Sequence, residues 1–463
     1  MLKSKLPLFS RLRRDVPPIL KLAIPILLGQ LAIITFGVMD TAMTARYSTD
    51  DLAALGMAAS IFISIYVGLT GILSALNPIG GQLFGAKKYQ AIGEETRQTL
   101  WLSLILAGIG MLVLNHPEMF IEIGNVSPEI ADKAKFYLMI LSFSTPANMI
   151  MRTYIALHNA ISLPKMITWL QVIGLGLKIP LNYLFIFGGF GIPAMGGPGC
   201  AIATSIVQWF WVITLTFIIW NGSGYKKFHI FTTFTLPNLK RIWEILKLGA
   251  PIGFSYLIEV TSFAFMALFI ARFGTSVLAG HQIIANMGTV IYMVPLSLSI
   301  ATMTVISQHL GAKEHTRSEE VGWSAVIFNV FVSVVIGALV WIFQDALLGL
   351  YAPRDEARVI AKQLIFFIAI YQISDAMQVT AAFILRGYKV AFWPMVIYAG
   401  SLWGIGLLGG YLMAFNKIPH VPEMLQGAKG FWAGNSISLG IAAFFLLMLF
   451  KMTARKKLLQ LNT

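Results

Sequence analysis

The chain has 463 residues, of which 57% are hydrophobic and 12% are charged. Soluble domains carry about 25% charged residues, so lipid must be the solvent for much of this surface. The formal net charge of +14 lies in short loops between apolar segments, which argues against nucleic-acid binding. A single cysteine, Cys200, excludes a disulfide framework and a Cys-based zinc or iron–sulfur site.

The predicted elements begin with a basic segment, residues 1–17, that precedes the first apolar run. That run is too long for a signal peptide and has no cleavage site of small residues, so we predict an uncleaved membrane helix. A bilayer span needs about 20 apolar residues. Twelve spans are predicted in chain order: 18–45, 53–78, 98–116, 136–158, 165–188, 198–220, 246–272, 281–306, 323–345, 362–386, 393–415 and 430–451.

The distribution of Lys and Arg predicts the topology. Basic residues are concentrated in both termini and in the even-numbered loops, so both termini should be cytoplasmic in a cell inner membrane. The longest loop, 221–245, is also basic and would join an N-terminal lobe (18–220) to a C-terminal lobe (246–451). Residues 452–463 would form a cytoplasmic tail.

An internal repeat relates the two halves. Pro25 and Pro251 are 226 positions apart, and this offset holds without a gap over much of the first two spans. Further matching segments are Ala45-Arg46 with Ala271-Arg272, Gly85-Ala86-Lys87 with Gly311-Ala312-Lys313, and, at a slightly larger offset, Gly196-x-x-Gly199 with Gly427-x-x-Gly430. Each copy has an even number of spans, so both copies enter the membrane in the same direction.

The repeat predicts an all-α membrane protein of twelve transmembrane helices in two six-helix lobes. A pseudo-two-fold axis along the membrane normal would relate the lobes, with a substrate cavity between them, as in transporters with parallel repeats. A duplicated scaffold with no transport role is the alternative.

Three acidic residues fall within apolar segments: Asp40, Glu259 and Asp375. A carboxylate at mid-bilayer costs about 2.5–3.5 kcal/mol on insertion scales, so it persists where it faces a cavity, a partner or a cation. Helix geometry places Glu259 and Asp375 at a similar depth near the midplane, where they could bind a monovalent cation or share a proton. Asp40 is nearer the outer end of the first span. A buried structural contact, or contact with water for Asp40, is the alternative.

The acids are not duplicated with the scaffold. At the offset of the repeat, Asp40 corresponds to Met266 and Glu259 corresponds to Ile33. One half therefore carries a pair of acids and the other a single acid, which suggests different tasks.

Other polar residues within or near the spans are weaker candidates. The Tyr292 ring could face a bound cation, or it could simply pack. Gln282, Ser60 and Asn286 could line a cavity or form hydrogen bonds between helices. Two basic residues within spans, Arg152 and Lys178, could snorkel or pair with acidic groups, and we assign them no function.

Several segments together resemble one transporter family, that of multidrug and toxic compound extrusion (MATE), NorM type. They are Val38-Met39-Asp40-Thr41, Gly80 to Lys87, Ile179-Pro180-Leu181-Asn182-Tyr183, Gly196-Gly197-Pro198-Gly199-Cys200-Ala201 and Gly430-Phe431-Trp432. The resemblance covers nearly the whole chain. The sequence departs from the family pattern at two places. Lys178 stands where the family pattern has Asn, and the stretch 158–164 is shorter than the usual Gly-containing turn.

The resemblance implies a monomeric cation-coupled antiporter that exports amphiphilic cationic drugs such as dyes and fluoroquinolones. Glu259 and Asp375 match the acids that bind the coupling ion, Na⁺ or H⁺, and Tyr292 matches the aromatic residue near it. Asp40 matches the first-lobe acid that is tied to protonation or substrate release. Gln282, Ser60 and loop residue Asp355 resemble substrate contacts.

Sodium is the favoured coupling ion, and we expect no other cofactor and no enzymatic activity. Proton coupling is the main alternative. A flippase for a lipid-linked oligosaccharide would favour a basic cavity, whereas the buried charges here are mostly acidic. A membrane-embedded enzyme would need a nucleophile–base pair or a metal motif, and neither pattern appears. A channel is the remaining alternative.

Overall fold

The first half of the chain forms eight helices. The computed structural model describes residues 7–124, 126–351, 354–417 and 422–460, and these residues contain no β-strand. The helices are α1 (Leu8–Tyr47), α2 (Thr49–Leu73), α3 (Leu76–Gly85), α4 (Tyr89–Asn115), α5 (Glu118–Gly124), α6 (Pro128–Ala160), α7 (Pro164–Phe187) and α8 (Gly197–Asn221). The first six predicted spans correspond to α1, α2 with α3, α4, α6, α7 and α8.

The second half follows the same order. Its helices are α9 (Leu239–Ile270), α10 (Thr275–Gly311), α11 (His315–Ile342), α12 (Gln344–Tyr351), α13 (Asp355–Gly387), α14 (Phe392–Tyr398), α15 (Gly410–Ala414) and α16 (Ala428–Leu459). A π-helical stretch, Ala399–Gly409, joins α14 to α15, and these three segments form the eleventh predicted span.

Helix α6 differs from the other long helices in composition. Eleven helical segments of the described chain are long and apolar enough to cross a membrane, and α6 is not among them. It has 33 residues but buries many polar side chains: Ser142, Ser144, Thr145, Asn148, Thr153, His158 and Asn159. These side chains are buried where α6 packs against α2, α3, α4, α7 and α8, as polar residues inside membrane bundles are.

The described chain divides by contact into two compact units. Unit 2 runs from Leu28 to Gly253, and unit 1 contains the residues before it and those from Phe254 onward. The division falls inside α1 and α9, so each of these helices contributes to both units. In unit 1 the central helix is α13, which packs against α10, α11 and α16. The lobe boundaries predicted from the sequence stay a prediction.

The segment between α8 and α9 is held against α4. It contains a short 3₁₀ turn, Ser223–Phe228, within the predicted linker. The Trp101 indole donates a hydrogen bond to the Thr235 carbonyl at 3.0 Å, and the Gln98 amide donates to the Leu236 carbonyl at 3.1 Å. Gln98 also accepts from the Asn238 backbone N–H at 2.7 Å. The linker is therefore an ordered part of unit 2.

Matching turns end matching helices in the two halves. Lys87 and Lys313, each directly after the aligned Gly-Ala pair, have φ of 59° and 64°. Ser162 follows α6 with φ 61° and Lys389 follows α13 with φ 60°. A left-handed residue after a helix lets the next N–H groups bond the last carbonyls, and only a few turn geometries achieve this. The repeat in the sequence therefore encodes the same chain reversals twice.

The Gly-x-x-Gly repeat opens α8 and α16 in the same way. Gly196 and Gly427 have φ, ψ of 61°, −139° and 65°, −146°, a region that essentially only glycine occupies. Three residues later the backbones meet closely. A Cβ on Gly199 would lie 2.3 Å from the Phe185 carbonyl oxygen, and one on Gly430 would lie 2.3 Å from that of Leu425. The motif thus brings each helix against the chain that precedes it.

Gly430→Ala should lower the free energy of unfolding by about 1–3 kcal/mol, because the new methyl group overlaps a backbone oxygen that cannot retreat. Gly176→Ala is the matched control, since a Cβ at Gly176 meets no atom within 4 Å and alanine favours the helix. Thermal unfolding of the purified protein in detergent compares the two. Equal melting temperatures for Gly430→Ala and Gly176→Ala would contradict the proposed close contact.

Candidate functional site

The acids predicted for the second half meet an aromatic hydroxyl inside unit 1. Glu259 lies on α9, Tyr292 on α10 and Asp375 on α13. The carboxylates of Glu259 and Asp375 are close enough to interact electrostatically, and the Tyr292 side chain interacts with both of them. Glu259 and Asp375, which are 116 positions apart in the sequence, are therefore brought together with Tyr292. We call Glu259, Asp375 and Tyr292 the acidic cluster.

Asp375 is the most enclosed member of the acidic cluster, with 2% of its surface exposed. Its Oδ1 accepts a hydrogen bond from the Gln378 amide nitrogen at 2.9 Å. Its Oδ2 is buried and has no hydrogen-bond partner among the described residues, and the same holds for both amide atoms of Gln372. Gln372 precedes Asp375 by three residues on α13, which places the two side chains on neighbouring positions of the helix surface. Unpaired oxygens of this kind are available to a cation.

Arg386 is a buried cation beside the acidic cluster. Its guanidinium interacts electrostatically with Glu259 and donates a hydrogen bond to the Tyr256 hydroxyl at 2.8 Å. The guanidinium carbon also lies 4.8 Å from the Tyr256 ring centroid and 4.3 Å from that of Phe383. Only 4% of Arg386 is exposed. The guanidinium is therefore held in place by aromatic rings and one hydroxyl while it offsets one carboxylate charge.

Further tyrosines enclose the acidic cluster. Tyr371 and Tyr398 are buried, and each interacts electrostatically with Glu259 and Asp375. The Tyr371 ring is 5.7 Å from the Trp432 ring and 6.2 Å from the Phe263 ring. With both acids ionised, the cluster carries two negative charges, and Arg386 offsets one of them, that of Glu259. Because buried charges are costly unless compensated, this arrangement favours uptake of one monovalent cation.

Sequence reasoning missed Arg386, Tyr256, Tyr371 and Tyr398. Arg386 ends the predicted tenth span and resembles an ordinary basic residue at a membrane surface. Its neighbours were a usable signal, since Arg386 directly follows a run of small and apolar residues, Ala381 to Leu385, within the same predicted span. The tyrosines carry no pattern that separates them from packing residues.

Asp40 lies in unit 2 and is paired with a buried lysine. The Lys178 ammonium is 3.0 Å from Asp40 Oδ1, and the Asn182 amide nitrogen donates to the same oxygen at 2.7 Å. The Lys178 side chain is 0% exposed and that of Asp40 is 13% exposed. Helix α1 continues seven residues beyond Asp40, to Tyr47. The alternative of a helix-end acid that touches water therefore does not describe Asp40, and Lys178 pairs with an acid rather than snorkelling.

Arg152, the other basic residue that the sequence places within a span, is half-buried in unit 2. Its Nε donates to the Tyr66 hydroxyl at 2.9 Å, and Tyr66 in turn donates to Asn148 at 3.1 Å. Asn148 donates to Gln208. This chain of polar groups links α2, α6 and α8 within the unit.

The weaker candidates are exposed and bond locally. Ser60 donates to the Gly56 carbonyl at 2.9 Å, and the Asn286 amide donates to the Gln282 carbonyl at 3.1 Å, each within its own helix. Gln282 is exposed on α10, and Asp355 is exposed at the start of α13. The side chains of Ser60 and Asn286 thus form hydrogen bonds within their own helices and not between helices.

A metal site rich in ionisable ligands is absent from the described residues, where no three His, Cys, Asp or Glu side chains are grouped to hold a metal ion. The acidic cluster offers two carboxylates, and its other oxygen donors are neutral. Alkali cations take such mixed oxygen ligands, whereas transition metals favour nitrogen and sulfur.

Comparison of the sequence with protein families gives a match to the MatE model over residues 25–184 and 251–412. The two matched segments repeat the duplication seen in the sequence. A probable multidrug resistance protein NorM of Aromatoleum aromaticum is 36% identical over 93% of this chain and 93% of its own length. The multidrug resistance protein NorM of Aliivibrio fischeri is 31% identical over 94% of both chains.

Solved structures share the fold. The eukaryotic MATE transporter AtDTX14 has a TM-score of 0.86 at 20% identity and covers 96% of this chain and 99% of its own. The Vibrio cholerae MATE transporter VcmN in its bent form has a TM-score of 0.85 at 18% identity, with coverage of 97% and 99%. These likenesses confirm the predicted all-α transporter fold. With the family match across both halves and the NorM relatives above 30% identity, they lead to one conclusion: the chain is a multi-pass membrane protein of the MatE family of transporters.

Proposed function

We propose that the protein is a multidrug efflux transporter in which a cation, Na⁺ in the first instance, enters as an amphiphilic cationic drug leaves. The observation that carries this proposal is the charge of the acidic cluster: Glu259 and Asp375 interact with each other, and among the described residues it is the Arg386 guanidinium that offsets Glu259. The relatives named multidrug resistance proteins support the drug substrates. The two acids are the ion site and drive the cycle.

The ligands available to Na⁺ support the assignment. Asp375 Oδ2 and the Gln372 amide oxygen are buried and have no hydrogen-bond partner in the part of the chain that the structure describes, and the Tyr292 hydroxyl is a third oxygen beside the carboxylates. Oxygen ligands of mixed charge suit a hard cation. A proton would neutralise one carboxylate equally well and needs no coordination shell, so H⁺ coupling is the second candidate.

Coupling follows from different preferences of the two solutes. An ion that binds one conformation more tightly shifts the equilibrium by its difference in affinity, and a drug that prefers the other conformation shifts it back. Gln282, Asn286, Ser60 and Asp355 are exposed polar groups, and we assign them to drug contact. The working arrangement is a monomer in the inner membrane with both termini in the cytoplasm, where basic residues collect.

Removing either acid of the cluster should abolish coupling. Glu259→Gln and Asp375→Asn keep the size of the side chain and remove the charge, so each should lower gradient-driven ethidium efflux at least about tenfold, which corresponds to about 1.4 kcal/mol of lost ion affinity. Efflux is measured in proteoliposomes with an imposed ion gradient. Glu244→Gln is the matched control, because Glu244 is an exposed acid on the same helix as Glu259. Full efflux by the two cluster variants would refute this ion site.

Coupling to Na⁺ can be distinguished from coupling to H⁺ by the choice of the imposed gradient. At equal pH on both sides, an inward Na⁺ gradient alone should drive ethidium out of the compartment, because Na⁺ replaces the missing positive charge at the acidic cluster. A K⁺ gradient of the same size is the control for membrane potential. Efflux that responds only to a pH gradient would identify H⁺ instead of Na⁺ as the coupling ion, with the acidic cluster still as its site.

A further inference from the structure

Lys178 is enclosed by oxygen atoms in the interior of unit 2. Its ammonium lies 3.0 Å from Asp40 Oδ1 and donates hydrogen bonds to the Cys200 carbonyl, at 3.2 Å, and to the Thr204 hydroxyl. These three acceptors match the three N–H groups of an ammonium. The Phe36 ring centroid lies 5.7 Å from the same nitrogen. No part of the side chain is exposed, so the charge depends entirely on these contacts.

The acceptors around Lys178 are also the ligands that an alkali cation takes. A carboxylate, a backbone carbonyl and a hydroxyl are hard oxygen donors. A fourth oxygen is present, because Asn182 is fully buried, donates its amide nitrogen to Asp40, and leaves its Oδ1 without a partner among the described residues. The ammonium therefore stands where such a cation would be coordinated.

The charge in this part of unit 2 is already balanced. One carboxylate, Asp40, meets one ammonium, Lys178, whereas the acidic cluster of unit 1 has two carboxylates, and the Arg386 guanidinium beside it offsets that of Glu259. A second cation beside Lys178 would face like-charge repulsion in a site from which water is excluded, and this repulsion is strong at low dielectric.

We propose that Lys178 is a tethered cation that fills a monovalent-cation site in unit 2, so that no free ion binds at Asp40. Together with the proposed function, on which this conclusion rests, the chain then has one exchangeable ion site, the acidic cluster. Asp40 has a fixed structural partner, which differs from the protonation role that the family resemblance implies for it. Lys178 sets which of the two units exchanges an ion.

The test measures sodium binding at unit 2 with unit 1 silenced. In a Glu259→Gln, Asp375→Asn background, the melting temperature is recorded in NaCl and in N-methyl-D-glucamine chloride at equal ionic strength. With Lys178 present, the expected result is no difference between the two salts. With Lys178→Asn added, the vacated oxygens should bind Na⁺ and raise the melting temperature by roughly 3 °C in a saturable manner. Adding Asp40→Asn should remove that rise.

Controls separate this site from other effects of the substitutions. Lys165→Asn removes an exposed lysine from the same helix and should create no sodium dependence. The double variant Asp40→Asn, Lys178→Met removes both charges, so it keeps the site neutral if Lys178→Asn alone does not fold, and it too should ignore sodium. A variant carrying Lys178→Asn that folds only in the presence of Na⁺ would support the proposal.

Two results would overturn it. One is sodium stabilisation in the silenced protein with Lys178 intact that disappears on Asp40→Asn, since a free ion would then share the site with the lysine. The other is a folded Lys178→Asn protein that does not respond to sodium. The proposed function is tested separately, because a failure of Na⁺ to stabilise the protein with unit 1 intact would count against the acidic cluster and leave the unit 2 result unchanged.

Discussion

Compensation of charge in a medium without water is the constraint on which the rest of this structure depends. A lipid-facing helix satisfies its own backbone, so helices are the obligatory element, but nothing in lipid satisfies an ionised side chain. Two of the acids in the described sites therefore have a cationic partner within their own unit. Asp40 meets Lys178, and Glu259 interacts with Arg386. The central helices α6 and α13 carry polar side chains because each is surrounded by other helices of its unit.

The two units meet this constraint with different charges. Unit 2 closes its polar interior with an equal ion pair, which is stable because every N–H of the ammonium has an acceptor. In unit 1 the acidic cluster has one more carboxylate than Arg386 can offset, and Asp375 Oδ2 and the Gln372 amide have no hydrogen-bond partner within the described part of the chain. A deficit of one positive charge among buried groups favours uptake of a monovalent cation. The same scaffold thus holds an ion pair in one unit and, in the function that we propose, an exchangeable site in the other.

Much of the fold could be predicted because membrane burial is recorded in composition. Apolar runs of about 20 residues define the spans. The aligned turns also follow from local sequence, since Gly196 and Gly427 occupy a region of φ and ψ that a side chain would forbid. The fourth predicted span, 136–158, lies inside α6.

The segment 158–164 contains a tight turn after α6, in which the Leu163 N–H donates to the His158 carbonyl at 2.8 Å.

The partners of the charges are what the sequence left open. The sequence by itself determined the twelve spans, the duplication and the presence of three acids within apolar segments, because each is a property of a short stretch of chain or of an offset between stretches. Only the tertiary structure decided that Asp40 pairs with Lys178, that Arg386 is buried beside Glu259, and that Tyr371 and Tyr398 enclose the acids. The physical reason is that these contacts join helices more than a hundred residues apart or turn a basic residue at a helix end inward. Both depend on the packing between helices, and that packing leaves no periodic pattern in the sequence.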